Sequence, residues 1–319
     1  MNLRYFRLGL FFASIAVLFW GILPIALKLS ASFIDPVSLT WFRFFVALVF
    51  SLFVQLYAGK LNEFNQLNKK DWLILSMTAI FSIGNYVSIV YSLEYLSPGE
   101  AQLNFQTAPF FLALGGVILF KERLKLVQLA CFATLAVGMV MFFYQHLDFS
   151  KGSNSLIWFG ISIVQFSALS WSCFALMQKL MSKKLSPNNT LLFVYGFGTV
   201  IMLPFISTQS FSQMLLTDWY VALFCAFNTV IAYGCFAQAM RYWPASQVGP
   251  MLALTPIFSF IATWAVVKWA WWPDIFSSDD LDFIAILGII IVIGSVMAMQ
   301  LLVRFYSVRL TAKSVVEPS

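Results

Sequence analysis

Ten stretches of roughly twenty predominantly apolar residues, with only short polar gaps between them, limit what this chain can become more than any other feature. A bilayer core about 30 Å thick is crossed by roughly 20 helical residues rising 1.5 Å each. By that ruler the sequence predicts helices at about 7–29, 36–58, 72–93, 99–120, 124–144, 155–181, 188–208, 217–241, 246–268 and 282–304. Backbone in hydrocarbon must satisfy its own polar groups, which helices do. The expectation is an all-α integral membrane protein with ten transmembrane helices, short loops and no soluble domain. Met1-Asn2-Leu3-Arg4 could open a signal peptide. The segment stays apolar to about Leu29, however, and has no small-residue cleavage site at a suitable distance, so an uncleaved first helix is expected.

Composition excludes the other classes. The chain is 61% hydrophobic and 10% charged, far from a soluble domain, a disordered segment, a collagen-like fibre or a disulfide scaffold. Its net charge of +6 does not point to nucleic acid, because the basic residues are scattered between apolar runs. Sorted by alternate loops with the N-terminus inside, they fall fifteen on the inner side and three (Lys28, Lys151, Lys268) on the outer, with Arg43 within a span. That bias predicts cytoplasmic termini. The four cysteines lie within spans without a Cys-x-x-Cys pair and read as small buried residues.

Three anchors recur along the chain. Trp20 with Lys28 returns as Trp171 with Lys179, at an offset of 151; Tyr95, Pro109 and Lys121 return as Tyr242, Pro256 and Lys268, at 147; Gly138-x-Val140-Met141 returns as Gly294-x-Val296-Met297, at 156. The unit holds five helices, an odd number, so the second copy enters the membrane from the opposite side. The expected organisation is a first repeat over 1–148, an inverted second repeat over 149–304 and a short cytoplasmic tail over 305–319. Inverted repeats mark secondary transporters with a midplane site and alternating access.

With these residues in view the chain resembles the EamA-type members of the drug/metabolite transporter superfamily. The resemblance rests on Phe19-Trp20-Gly21 with Pro24 and Lys28, Asp35-Pro36 with Arg43, and Tyr91 to Pro98 leading into helix 4 with Pro109 and Lys121-Glu122-Arg123. In the second half it rests on Ala239-Met240-Arg241-Tyr242 and Thr255-Pro256. It implies ten helices in two EamA domains and transport of a small metabolite. Two departures separate the halves: Glu122 is matched by Trp269, and Arg43 by Val194.

Polar side chains within spans mark the pathway candidates, since they cost free energy unless paired or facing a cavity. Arg43 is the one formal charge well inside a span, roughly 12 Å from the outer end of helix 2. Two readings fit it: a cation for a substrate carboxylate or phosphate, or an arginine held by backbone carbonyls or snorkelling outward. Ser82, Asn85, Ser88 and Ser92 form a stripe on helix 3, with Tyr86 beside it and matching Tyr233. Such a stripe either lines a cavity or bonds neighbouring helices. Helix 4 carries Gln102, Gln106 and Pro109 on one face and Glu100, Asn104 and Thr107 on roughly the opposite one, and Pro109 with its partner Pro256 predicts hinges. Gln165, Trp171, Asn228, Tyr233, Gln238, Gln247 and Thr255 are the second-half candidates. Trp20 and Trp171 lie inside spans, as substrate-stacking rings or as core residues.

Other features have plainer readings. Trp264, Trp269, Trp271 and Trp272 form an interfacial belt, Ser278-Asp279-Asp280-Leu281-Asp282 is a solvated loop and His146 a surface residue. No metal or cofactor is expected. The small residues Ala130, Thr134 and Gly138, and Gly294 with Ala298, permit close packing against a partner helix in the same or another chain, leaving the oligomeric state open.

The function read from these residues is a secondary transporter, moving an amino acid or related compound, in the efflux direction, across a bacterial inner membrane. Its partners are a small-molecule substrate and the bilayer, with protons as a possible coupling ion through Glu100 and no nucleic acid. The alternative is an intramembrane enzyme such as a prenyl or acyl transferase, which would need His or paired acidic residues facing a cavity.

Overall fold

The computed structural model describes residues 3–92, 95–96, 101, 104–122, 124–142, 144, 155–272, 275 and 282–316. The described residues form α-helices and 3₁₀ turns, with no strand among them. The helices are α1 (Leu3–Ser30), α2 (Pro36–Tyr57), α3 (Lys69–Ser92), α4 (Ala108–Phe120), α5 (Leu126–Phe142), α6 (Ser155–Met181), α7 (Pro187–Met202), the short α8 (Thr208–Ser212), α9 (Leu216–Tyr242), α10 (Ala245–Leu252), α11 (Thr255–Lys268) and α12 (Phe283–Val316). Seven segments are long and apolar enough to cross a membrane, Ala245–Lys268 counted as one. The apolar helices Ala108–Phe120, Leu126–Phe142 and Phe283–Met299 are shorter. The last helix continues to Val316, into the stretch expected as a tail.

Short polar signals set the helix starts. Asp35 accepts the N–H groups of Val37 and Ser38 at 3.1 and 2.9 Å, and Pro36 follows it. Asn68 and Asp71 cap α3 reciprocally, each side chain accepting the other's N–H at 3.0 Å. Pro109 and Pro256 stand in the first turns of α4 and α11, where a missing N–H costs nothing. The helix expected over 99–120 is therefore not continuous. It is interrupted by a turn at Gln106 and Thr107, and the one over 246–268 by a turn at Ala253 and Leu254.

The most extensive helix pairings, α1 with α9, α3 with α6, α5 with α12 and α2 with α7, each join a helix before residue 144 to one after 155. Gly138 packs on Ile291 and Val292, so the partner of that small-residue face lies in the same chain. Exposed Phe11, Leu18, Ile22, Val49, Phe53, Val200 and Ile290 cover the outside with side chains suited to lipid. Exposed Trp264, Trp269, Trp271 and Trp272 cluster near one end, where Lys268 lies 4.6 Å from the Trp264 ring centre. Asp282 receives the Tyr144 hydroxyl and caps α12 through the Ala285 N–H at 2.9 Å. Asp279, Asp280 and His146 lie outside the described residues.

Candidate functional site

Burying a polar or aromatic residue on a lipid-facing helix is favourable only where several such residues meet, and here they meet around a cavity of about 540 Å³. The cavity runs from the middle of the bundle to the turn between α1 and α2, where exposed Ala31 and Pro36 rim it. Trp20, Arg43, Asn85, Tyr86, Gln106, Pro109, Trp171 and Tyr233 all line it. Six helices and the turn before α4 therefore bring these eight sequence candidates, one of them a proline, to one place, and Thr255 at the start of α11 joins them.

An aromatic box closes its floor. Trp20 from α1 lies 5.1 Å from Tyr233 and 6.1 Å from Trp171, both edge-on, and Tyr86 stacks on Tyr233 at 6.0 Å. Phe236 backs both tryptophans at 5.5 and 5.2 Å. Phe105, which sequence reasoning missed, faces Trp171 at 6.3 Å and lines the cavity. Offset and edge-on pairs each add about 0.5–1.5 kcal/mol beyond burial, so the box is rigid before any ligand enters.

Arg43 sits in the wall of this box, 4% exposed. Its Nε donates to Thr229 Oγ1 at 2.8 Å, and its guanidinium carbon lies 5.3 Å from the Tyr86 ring centre. Thr229 in turn donates to the Cys225 carbonyl at 3.0 Å. Among the described residues no carboxylate pairs with Arg43. Neither reading from sequence fully describes it: the arginine is tethered, but by a side-chain hydroxyl, and it lines the cavity. Thr229 was missed because a threonine inside a span is commonplace.

Asn85 lines the cavity and also fastens α3 to α6. Its Nδ2 donates to Ser167 Oγ at 2.9 Å, and that hydroxyl donates to the Asn85 carbonyl at 3.0 Å. The break before α4 is held in the same way: Gln165 Nε2 donates to the Asn104 carbonyl at 3.0 Å, Thr107 donates to Gln165 Oε1 at 2.9 Å, and Ser172 donates to the Ala108 carbonyl at 3.1 Å. Irregular backbone at this depth is tolerable because side chains satisfy it.

Other candidates do not line the cavity or lie outside the described residues. Asn228 donates to the Phe19 carbonyl at 2.6 Å, bolting α9 to α1, and does not line the cavity. Gln238 is half-buried and Pro256 buried, both off the lining. Gln102 and Glu100 lie outside the described residues. No group of three metal-binding side chains occurs among the described residues.

Away from the α1–α2 turn the bundle is shut by ionic and polar ties. Lys121 takes a left-handed conformation (φ 53°) at the end of α4, turning Glu122 back beside Gly116. A Cβ at Gly116 would fall 2.8 Å from Glu122 Oε2 and 3.1 Å from the Ala245 Cβ, so a larger residue there would press on the carboxylate and on the start of α10. The carboxylate accepts Lys179 Nζ at 3.2 Å, the Ala245 N–H at 2.9 Å, and the Ser246 N–H and hydroxyl at 3.1 and 2.7 Å. It thus caps α10, where an anion is favoured, while Lys179 also donates to the Trp243 carbonyl at 2.9 Å. Burial alone would raise the Glu122 pKa, but Lys179 and the hydrogen bonds of Ser246 and Ala245 outweigh it and hold the carboxyl below its ordinary value. At the same end Glu63 accepts the Ser186 N–H and Asn189 Nδ2, both at 2.7 Å, and Lys184 pairs with Asp71 at 2.7 Å. This clasp involves none of the pathway candidates read from sequence. Its signals were the Lys28–Lys179 recurrence and the unmatched Glu122.

The sequence profile of the EamA-like transporter family matches residues 7–144 and again 158–301. A Haemophilus influenzae protein described as an uncharacterized transporter is 29% identical over 286 residues, covering 90% of this chain and 92% of its own. The uncharacterized inner membrane transporter YhbE of Escherichia coli (strain K12) is 29% identical, over 91% of this chain and 90% of its own. A probable amino-acid metabolite efflux pump of Salmonella typhimurium is 24% identical, over 77% of this chain and 83% of its own. A protein of known crystal structure shares the fold with a TM-score of 0.73 at 16% identity, over 92% of this chain and 97% of that one.

Proposed function

Because this chain belongs to the EamA-like transporter family, we propose that it is a secondary transporter that exports an amino acid or related small metabolite across a bacterial inner membrane by alternating access. The observation that carries this reading is the cavity: a preformed aromatic box, with one buried cation in its wall, reaching one end of the bundle and closed toward the other. A guanidinium tied through Nε keeps its terminal nitrogens for a carboxylate, while the rings take the ligand's apolar or cationic part. The described lining contains no carboxylate, imidazole or thiol, so nothing in it favours the enzyme reading. The Salmonella relative's name and the inner-membrane description of YhbE support direction and location.

Support for two inverted repeats comes from matched boundaries. The ends of α1 and α6, and the starts of α2 and α7, are 151 residues apart, while the starts of α4 and α11 are 147 apart. The packing of α1 on α9 is mirrored by that of α6 on α3. With the N-terminus inside, the cavity opens outward and the Glu122 clasp is cytoplasmic, an orientation tested by a cysteine at Ser153, which must be labelled from outside. The functional test is reconstitution in liposomes with a panel of labelled amino acids, comparing wild type with Arg43→Ala and Asn85→Ala. Flux in wild type that falls at least tenfold in Arg43→Ala supports the proposal. A chemically altered product in place of flux refutes it.

A further inference from the structure

In a closed gate, the polar residues of the next conformation's pathway are buried without partners, and one such residue stands out. Gln178 is 2% exposed, and neither its Nε2 nor its Oε1 has a hydrogen-bond partner among the described residues. Leaving a buried amide unpaired costs about 1–3 kcal/mol for each group. Gln178 lies seven residues beyond Trp171 on α6, hence on the same face and about 10.5 Å further along the helix. Phe174 lies between them and packs on Tyr233 at 5.9 Å, beneath the aromatic floor. The neighbouring Lys179 is the cation of the Glu122 clasp. On α1 the same geometry is already open: Leu27, seven residues beyond Trp20, lines the cavity. The 151-residue offset that relates Trp20 to Trp171 relates Leu27 to Gln178.

We propose that Gln178 lines a second, cytoplasm-facing substrate subsite, continuous with the Trp171 face of α6 and shut in this conformation by the Glu122 clasp. The inference rests on the transporter reading above. An amide that offers both a donor and an acceptor suits a small polar or zwitterionic metabolite on its way into the aromatic box. Release of Glu122 from Lys179 and from the start of α10 lets α4 and α10 part there. In the open state Gln178 gains water or substrate as partner, which removes its cost in the closed one.

The test needs no knowledge of the substrate. In a background with the four native cysteines replaced, Gln178→Cys is treated with a membrane-impermeant maleimide from the cytoplasmic face of inverted vesicles, with and without Glu122→Gln. An unchanged melting temperature in detergent shows that each variant is folded, and Leu27→Cys, treated from the opposite face, reports the population of the form seen here. The expected result is slow labelling at position 178 that rises at least tenfold with Glu122→Gln, while labelling at position 27 falls. Unchanged labelling at 178 in a protein that still labels at 27 overturns the subsite and its gate, leaving the transport reading untouched. Accelerated labelling without flux of any panel member counts against the transport reading and leaves the path standing.

Discussion

Replacing Arg43 with Met separates a substrate anchor from a structural strut, because the two roles predict different magnitudes. The fold loses the bond from Nε to Thr229 Oγ1 at 2.8 Å, worth about 1.5–3 kcal/mol for a charged donor. It also loses the contact with Tyr86 at 5.3 Å, worth about 2 kcal/mol when desolvated. Against this, a charge at bilayer depth costs roughly 2.5–3.5 kcal/mol, which methionine does not incur. The losses exceed the gain by about 1 kcal/mol, so the melting temperature in detergent should fall by only a few degrees. A carboxylate ligand loses two charge-assisted bonds of about 1.5 kcal/mol each, which is about a hundredfold in Kd. Trp20 and Trp171 line the cavity, so quenching of intrinsic fluorescence reports binding directly. Arg43→Lys restores the charge without the fork and should recover only part of the affinity. The reasoning fails if Arg43→Met melts far below wild type while binding any carboxylate ligand equally well.

Three further outcomes follow from the geometry. A Cβ at Gly249 would lie 2.8 Å from the Pro109 carbonyl, which is backbone and cannot rotate away, so Gly249→Ala should destabilise the α4–α10 crossing by about 1–3 kcal/mol, whereas Gly234→Ala, with open space around it, should not lower the melting temperature. The Glu122 carboxyl is held below its ordinary value of 4.5, so its contribution is complete above that pH and is lost as pH falls through the lowered value; labelling at a Gln178→Cys site should therefore be flat from pH 8 to 5 and rise only in stronger acid, and Glu122→Gln should abolish the dependence. Besides Lys179, the groups facing this carboxyl are the Ala245 N–H, the Ser246 N–H and hydroxyl, and Gly116, none of which titrates in that range. Trp269→Glu puts a carboxylate where the offset of 147 matches Glu122, and should shift the population toward the cytoplasm-open form, read as slower labelling of Leu27→Cys from outside.

What the sequence could and could not reveal follows from the period of a helix. Length and apolarity identify a span whatever its neighbours, so the long segments were legible. Trp20, Arg43, Tyr86, Trp171 and Tyr233 were each conspicuous as polar or amphipathic residues at depth, and the cavity lining unites them. Their meeting depends on how five helices rotate about their axes, which no single segment encodes. Asn228 shows the limit: an amide that bolts α9 to the Phe19 carbonyl is written in the same letters as one that lines a path. Pro109 and Pro256 announced irregular helices, but the breaks fall at Gln106–Thr107 and Ala253–Leu254, because proline is best accommodated in the first turn of the helix that follows. Glu122 stood out in sequence as the acidic residue unmatched in the second half, but its role as a clasp did not, because its Ser246 partner is 124 positions away.

On the alternating-access proposal, the clasp must be strong enough to seal one side and weak enough to open in every cycle. Its ion pair keeps some exposure, 15% for the Lys179 side chain and 12% for Glu122, and contributes nearer 1 kcal/mol than a fully buried pair would, while the three hydrogen bonds from buried Ala245 and Ser246 add about 1 kcal/mol each. The sum, about 3–5 kcal/mol, is of the size needed to take a two-state equilibrium from balance to one side, since about 5.5 kcal/mol moves it from 1:99 to 99:1. The unpaired amide of Gln178 subtracts about 2 kcal/mol or more from the closed form. The difference that remains is within the reach of a ligand binding the two states unequally. At the opposite end Trp269 stands where the 147-residue offset would place the carboxylate, so the two ends are not closed by the same set of groups. On the proposed export reading, the Glu122 clasp is the tie that ligand binding has to overcome before the cytoplasmic side opens.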